Sequence, residues 1–332
     1  MSLSVTNDTN VRRDSKANFF ANMNGGLESS PLSQFVSDFS STGVSLVSGF
    51  VGAVPRPQQL TGGGVATPNQ HRSVRFYSHT VTPLEWGNTI DIDLATLEDA
   101  RDSGVSSVVN IAGNMGAANA MHMLFRAQQV LILGNGTTVA TAYAGSTFFA
   151  ATHETGATGD NDLTSNITST NNPTSTELET AIGAGMEAML GFTDDQGKVY
   201  DHDINNFAFM FPPAHAEAAA KVLSPMGTLG GTAAGPGIRT DSAVPTGVFR
   251  GYEFFINGDM TDTDRFVILR RPRNGNVGPL IHNQRVPWDL ITRDRASGSD
   301  YAIENGVVWH TSRMRGDIGY GDWRAAALHI FT

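Results

Sequence analysis

Between Val105 and Leu133 apolar residues return at near-helical spacing: Val105, Val108, Ala112 and Met115, then Met123, Ala127 and Val130. That period lines one side of an α-helix, and Leu133-Gly134-Asn135-Gly136 supplies the stop. At about 1.5 Å per residue the helix runs roughly 40 Å, long for a globular domain. It reads as a spine, and the rest of the chain has to be arranged along it.

The chain's last apolar stretch, RMRGDIGYGDWRAAALHI (313–330), reads as a buried strand. Extended geometry puts Trp323, Ala325 and Ala327 on one face and Ala326, Leu328 and Ile330 on the other, so both faces must be covered. Gly316, Gly319 and Gly321 loosen the backbone on the way in. Other segments fall into a mixed pattern. FAFMF (207–211), FRGYEFFIN (249–257) and RFVILRR (265–271) read as strands. TELETAIGAGMEAML reads as a helix capped by Ser175 or Thr176, and PPAHAEAAAKVL (212–223) as a second, opened by proline. The fold class is α+β.

Residues 1–50 are polar, with scattered pairs such as Phe19-Phe20 and little sustained periodicity, and read as an arm. Strand-like VSLVSGFVGAVP (44–55) and the alternating VRFYSHTV flank a Gly-rich stretch holding Gly62-Gly63-Gly64. Two strands around such a tip make a long hairpin or loop.

With 332 residues the chain can bury a large core, and it contains no cysteine. Disulfides, thiolate metal sites and cysteine nucleophiles are excluded. No window approaches the ~18 apolar residues of a membrane span, and no signal-peptide pattern opens the sequence, so no membrane partner is expected. Net charge is −10, and residues 85–206 carry sixteen acids against Arg101, Arg126 and Lys198. A dedicated nucleic-acid binder concentrates basic residues, so tight, sequence-specific DNA binding is disfavoured. Arginines outnumber lysines nineteen to three; the planar guanidinium fork suits bidentate carboxylate pairs at protein interfaces.

Chemistry-bearing clusters are few. Asp91, Asp93, Glu98, Asp99 and Asp102 would serve an acid-base or metal site, as in a cytosolic hydrolase. Period-2 alternation favours a solvated strand face for Asp91 and Asp93, with Ile90 and Ile92 on the other side. Asp201-His202-Asp203 reads as a polar turn. Nine histidines show no H-x-x-x-H or H-E-x-x-H spacing, and the 191–199 stretch has the wrong spacing and a valine where a phosphate loop needs a hydroxyl. No catalytic residue, metal or cofactor is expected.

Taken in order, several segments resemble the major head subunit of Mu-like phages, a branch of the capsid proteins sharing the HK97 fold. They are PLEWGNTIDIDLATLEDARDSG, YAGSTFFAATH (143–153), PPAHAEAAAKVL, GPLIHNQR (278–285) and the closing 313–330 strand. The resemblance covers residues 75–332; residues 1–74 match in character only. It implies an HK97-like fold with an N-terminal arm (1–48), an extended β-hairpin loop (49–92), a peripheral domain with a long spine helix (93–140 and 283–320) and an axial domain (141–282 and 321–332). The implied function is a major capsid protein that self-assembles through pentamers and hexamers into the icosahedral head of a tailed bacteriophage and encloses double-stranded DNA. A portal, a separate scaffolding protein and possible decoration proteins are the implied partners, and the virion capsid the location after synthesis in the host cytoplasm. An encapsulin-type nanocompartment shell is the alternative. Residues 49–92 contain no lysine, so lysine cross-linking in the loop is not expected. Arg56, Arg72 and Arg75 in the loop, with Arg313 and Arg315 before the last strand, are the candidate intersubunit contacts.

Overall fold

The computed structural model describes residues 5–40, 42, 46–51, 76–93, 104–134, 146–153, 159–193, 197, 199, 203–223, 249, 251–272, 277–293 and 299–332. In chain order its elements are α1 (Val5–Glu28), β1 (Val36–Ser40), β2 (Leu46–Val51), β3 (Phe76–Val81), β4 (Leu84–Asp93), α2 (Gly104–Ile132), β5 (Asp162–Ser165), α3 (Ser175–Leu190), β6 (Phe207–Phe211), α4 (Ala216–Leu223), β7 (Glu253–Ile256), β8 (Arg265–Arg270), β9 (Leu280–Arg293), α5 (Asp300–Asn305), β10 (Val307–Tyr320) and β11 (Ala326–Phe331). The chain divides into two units. One comprises Met1–Leu46, Val81–Ala127 and Ile281–Gly319; the other comprises Val47–Thr80, Gln128–Leu280 and Tyr320–Thr332.

The first unit is organised by α2 and a four-stranded sheet in the order β1-β9-β10-β4. As the apolar period requires, Val108, Ala112, Met115, Met123 and Ala127 are buried on α2. β4 and β10 run antiparallel over ten pairs, from Leu84↔Gly316 to Asp93↔Val307. The two-residue alternation is visible on β10: Val308, His310, Ser312 and Met314 are buried, while Arg313 between them is exposed. α5 ends at Gly306, whose φ of 64° needs the left-handed conformation glycine adopts without strain.

The second unit holds a five-stranded sheet, β5-β11-β8-β6-β7. β11 runs parallel to β5 and antiparallel to β8, and β6 antiparallel to β8 and parallel to β7. All five residues of β6 are buried, as an uninterrupted apolar run demands when both faces are covered. α3 packs on α4 and on β11. β2 and β3 form a separate two-stranded sheet, in keeping with two strand-like arms; the Gly-rich stretch between them lies outside the described residues.

Five expectations from the sequence are corrected in detail. Residues 5–28 form a helix where no sustained periodicity was legible, because α1 is held by a narrow contact with α2 and not by an apolar stripe. The closing stretch is two strands, not one: Trp323–Ala325 form a 3-10 turn. Asp322 causes the break, accepting from Arg324 N at 3.1 Å and pairing with the Arg324 guanidinium at 2.9 and 3.0 Å. The cap of α3 is Thr174, one residue earlier than expected, in a capping box with Glu177. FRGYEFFIN contributes only Glu253–Ile256 as strand, and PPAHAEAAAKVL opens with a 3-10 turn at Pro213–His215 before α4.

Candidate assembly surface

Arg313 and Arg315 stand two apart on β10, so they share its outward face. Register pairs Arg315 with Glu85 and Arg313 with Gly87. Since Gly87 has no side chain, the Arg313 guanidinium reaches diagonally to Glu85 and forms an ion pair. Both side chains are more than half exposed, 66% and 54%, and a pair this wet contributes only about 0–1 kcal/mol. The Arg315 side chain has no ion-pair or hydrogen-bond partner among the described residues. Thr89 and Thr311 meet at 2.9 Å two pairs further along, on the same face. Glu85, Thr89, Thr311 and Arg313 rim a shallow cleft of about 190 Å³ whose lining includes Gly87. A Cβ on Gly87 would stand 2.8 Å from the Ser312 carbonyl oxygen, so the close strand approach there requires glycine.

The opposite face of the same strands is clamped to α2. Asn119 Nδ2 donates to Ser312 Oγ at 2.9 Å, and Ser312 Oγ bonds Asn88 Oδ1. Trp86 Nε1 donates to Gly316 O at 2.9 Å, and its ring lies 4.5 Å from the His122 ring and 5.3 Å from the Arg126 guanidinium. Burial first, then the Arg126 charge, lowers the His122 pKa, so the imidazole beside the cation stays neutral.

In the second unit Asn161 is the buried polar hub. Its Nδ2 donates to the carbonyls of Phe148, Trp323 and Ala326 at 3.0–3.1 Å, and its Oδ1 accepts from Ala150 N at 2.9 Å and faces His153 Nε2 at 2.8 Å. His153 stacks on Trp323 with centroids 3.7 Å apart. A pocket of about 270 Å³ lies nearby, lined by Asp160, Glu187 and Phe192 among others.

Of the candidate residues read from the sequence, Arg56, Arg72 and Arg75 lie outside the described residues, as do Glu98, Asp99, Asp102, Asp201 and His202. Asp91 and Asp93 are exposed on β4, while Ile92 is buried and Ile90 stays 36% exposed, so the alternation holds for three of the four. Asp203 caps the Ile204–Asn206 turn by accepting from Asn205 N at 2.9 Å. Asp317 pairs with Arg126, Tyr320 donates to Val130 O at 2.9 Å, and Asp322 holds Arg324. Among the described residues no three His, Cys, Asp or Glu side chains lie together as a metal site, and no helix is long and apolar enough to cross a membrane. Glu85 and Asn161 were not singled out from sequence: the first needs the β4–β10 register, the second contacts more than 160 residues away.

No protein-family model matches the sequence, and no curated protein is similar to it in sequence. Similarity appears in three dimensions. The mature capsid of bacteriophage PhiM1 matches with a TM-score of 0.53 at 13% identity, over 91% of this chain and 87% of that one. The capsid of cyanophage P-SCSP1u gives 0.54 at 12%, over 90% and 86%. The capsid of the native GTA particle gives 0.51 at 14%, over 91% and 89%. The class is therefore defined: an α+β chain with the HK97-like fold of phage capsid proteins.

Proposed function

We propose that this chain is the major capsid protein of a tailed bacteriophage, of the Mu-like head-subunit kind, acting by self-assembly and not by catalysis. The observation that carries the reading is the fold likeness to phage capsid structures across nine-tenths of the chain. In this reading residues 1–48 are the arm, 49–92 the extended loop, 93–140 with 283–320 the peripheral domain, and 141–282 with 321–332 the axial domain. The subunits close into pentamers and hexamers that tile a shell. A portal, a separate scaffolding protein and optional decoration proteins complete the virion head after synthesis in the host cytoplasm.

A net charge of −10 suits a container for DNA, since a strongly cationic wall would adsorb the entering polyanion. Arg56, Arg72, Arg75, Arg313 and Arg315 are assigned to intersubunit ion pairs, Arg315 first because its charge is unmatched within the described residues. Arg315→Glu is expected to lower shell yield, and unchanged yield removes that residue from the interface.

Electron microscopy of the purified protein, alone and with its scaffold, tests the whole reading. Closed icosahedral shells are expected, carrying nucleic acid when a portal is present. Monomers at micromolar concentration even with the scaffold overturn it, and small closed shells holding protein cargo replace it with a nanocompartment.

A further inference from the structure

Every third residue of an α-helix lies about 60° further round its axis, and on α2 each such step meets a different neighbour. A Cβ on Gly116 would stand 2.1 Å from the Phe19 carbonyl oxygen, which marks the seam with α1. Asn119 reaches Ser312 on β10, and His122 lies against Trp86 on β4. The next step brings Phe125, past the last strand of the sheet. Phe125 is 41% exposed, and Met121, one turn before it, 65%.

β4 is an edge strand: it pairs with β10 on one side, and no described strand stands on the other. Every second residue of an antiparallel strand turns its N–H and C=O away from its partner, so half of the span Leu84–Asp93 offers backbone groups to a further strand. Leu84 and Ile90 point to the same side as Trp86 and Ile92, towards α2. They nevertheless stay 45% and 36% exposed. The open edge is thus flanked on its α2 side by apolar surface from both elements.

The outward face has the opposite character. Glu85, Asp91 and Asp93 are exposed on it, and β4 contains no lysine or arginine. A strand laid on this edge must set apolar side chains towards α2 and basic ones beside the acids, because like charges directly opposite each other destabilise a strand pair. A second copy does not supply that pattern. The other edge strands of the two larger sheets, β1, β5 and β7, carry Asp38, Asp162 and Glu253 and no lysine or arginine, and β2 and β3 contain neither.

We propose that the free edge of β4 is a strand-addition site for an extended segment of a different protein, in which lysine or arginine alternates with apolar residues. Backbone hydrogen bonds supply the affinity, and the two unlike faces select the sequence. The site lies within the first unit and needs no shell, so it stands or falls apart from the assembly reading.

The test uses the full chain and a fluorescent peptide, as long as β4, that alternates lysine and valine. A second peptide has glutamate for lysine; two more are N-methylated, one at the valine amides and one at the lysine amides, which keeps the charge and removes one row of donors. The parent peptide is expected to bind and to protect amides of residues 84–93 from hydrogen exchange. The glutamate peptide and one of the two N-methylated peptides are expected to bind about tenfold or more weakly. Asp91→Lys combined with Asp93→Lys is expected to weaken the parent peptide by about tenfold. Absence of binding, or protection only outside residues 84–93, overturns the proposal. So does a parent peptide matched by both N-methylated forms, since charge attraction alone then explains it. The peptide comparisons use the unaltered chain, so they decide the matter even if the lysine variant fails to fold.

Discussion

The Arg126 guanidinium grips Asp317 through both carboxylate oxygens, with three contacts of 3.1–3.2 Å, beneath the face of Trp86. The side chains are 28% and 11% exposed, so the pair is largely out of water. Charge-assisted, bidentate bonds of this kind are stronger than neutral ones, and removing one partner strands the other's charge in a poorly solvated place. Asp317→Ala is expected to destabilise the first unit by about 2–3 kcal/mol, and Arg126→Leu by less, since leucine still packs an aliphatic side chain beside the Trp86 ring. Urea unfolding of the two variants beside the unaltered chain checks the order; equal, small losses would show that the pair merely decorates the α2–β10 contact.

Asn161 is a sharper case, because one side chain closes five polar groups around a buried amide. Asn161→Asp keeps the size but replaces the donor to three carbonyls by an acceptor. Each buried carbonyl left unpaired costs about 1–3 kcal/mol, so the variant is expected to fold poorly at neutral pH, and more so than Asn161→Ala. Soluble yield and the thermal midpoint of both variants test the order; an aspartate variant as stable as the original chain contradicts the hub.

The elements most readable from sequence are those whose pattern is a direct image of their burial. α2 was expected at 105–133 and spans Gly104–Ile132, because its apolar residues fall on one stripe for most of its length. β6 was legible as an uninterrupted apolar run. α1 was not, since its contact depends on glycines of another helix and on a single phenylalanine, neither of which leaves a period in residues 5–28. The break at Trp323 was hidden for a related reason: Asp322 and Arg324 sit inside an apolar stretch that reads as one strand, and only their burial as a pair, 2% exposed on each side, shows that they turn the chain. Glu85 became a partner of Arg313 through strand register, which no local pattern encodes.

The α1 seam makes its own prediction. Gly116→Ala adds one methyl group where 2.1 Å is available to backbone, so the helices must separate although alanine favours the helical state of α2 itself. Residues 5–28 are expected to lose protection against hydrogen exchange and to become the first site of proteolytic cutting, while the five-stranded sheet of the second unit keeps its protection. Uniform loss across the whole chain would mean that α1 is no separable element.

Acid should loosen the second unit in a defined window. His329 stacks on Phe266 with centroids 5.0 Å apart, its Nε2 meets Ser165 Oγ at 2.8 Å, and its buried Nδ1 has no hydrogen-bond partner among the described residues. Burial lowers its pKa to about 4, and burial also lowers that of His215, whose Nε2 meets the Thr263 carbonyl at 2.7 Å. In the unfolded chain a histidine titrates near 6.5. Between about 6.5 and about 4 the unfolded state therefore binds more protons, and stability declines as pH falls through that range. For His329 the full effect approaches about 3 kcal/mol. Two carboxyls act elsewhere: Glu177, held at about 2 by backbone hydrogen bonds from Thr168 and Thr174, loses its contribution as pH falls from its ordinary value of 4.5 towards about 2, and Asp162, raised by burial and then by Asp160, opposes the trend. His329→Gln cannot take up the proton. Its urea midpoint is expected to change less between about pH 7 and about pH 4.5 than that of the unaltered chain, and equal slopes for the two proteins would remove His329 from the acid response.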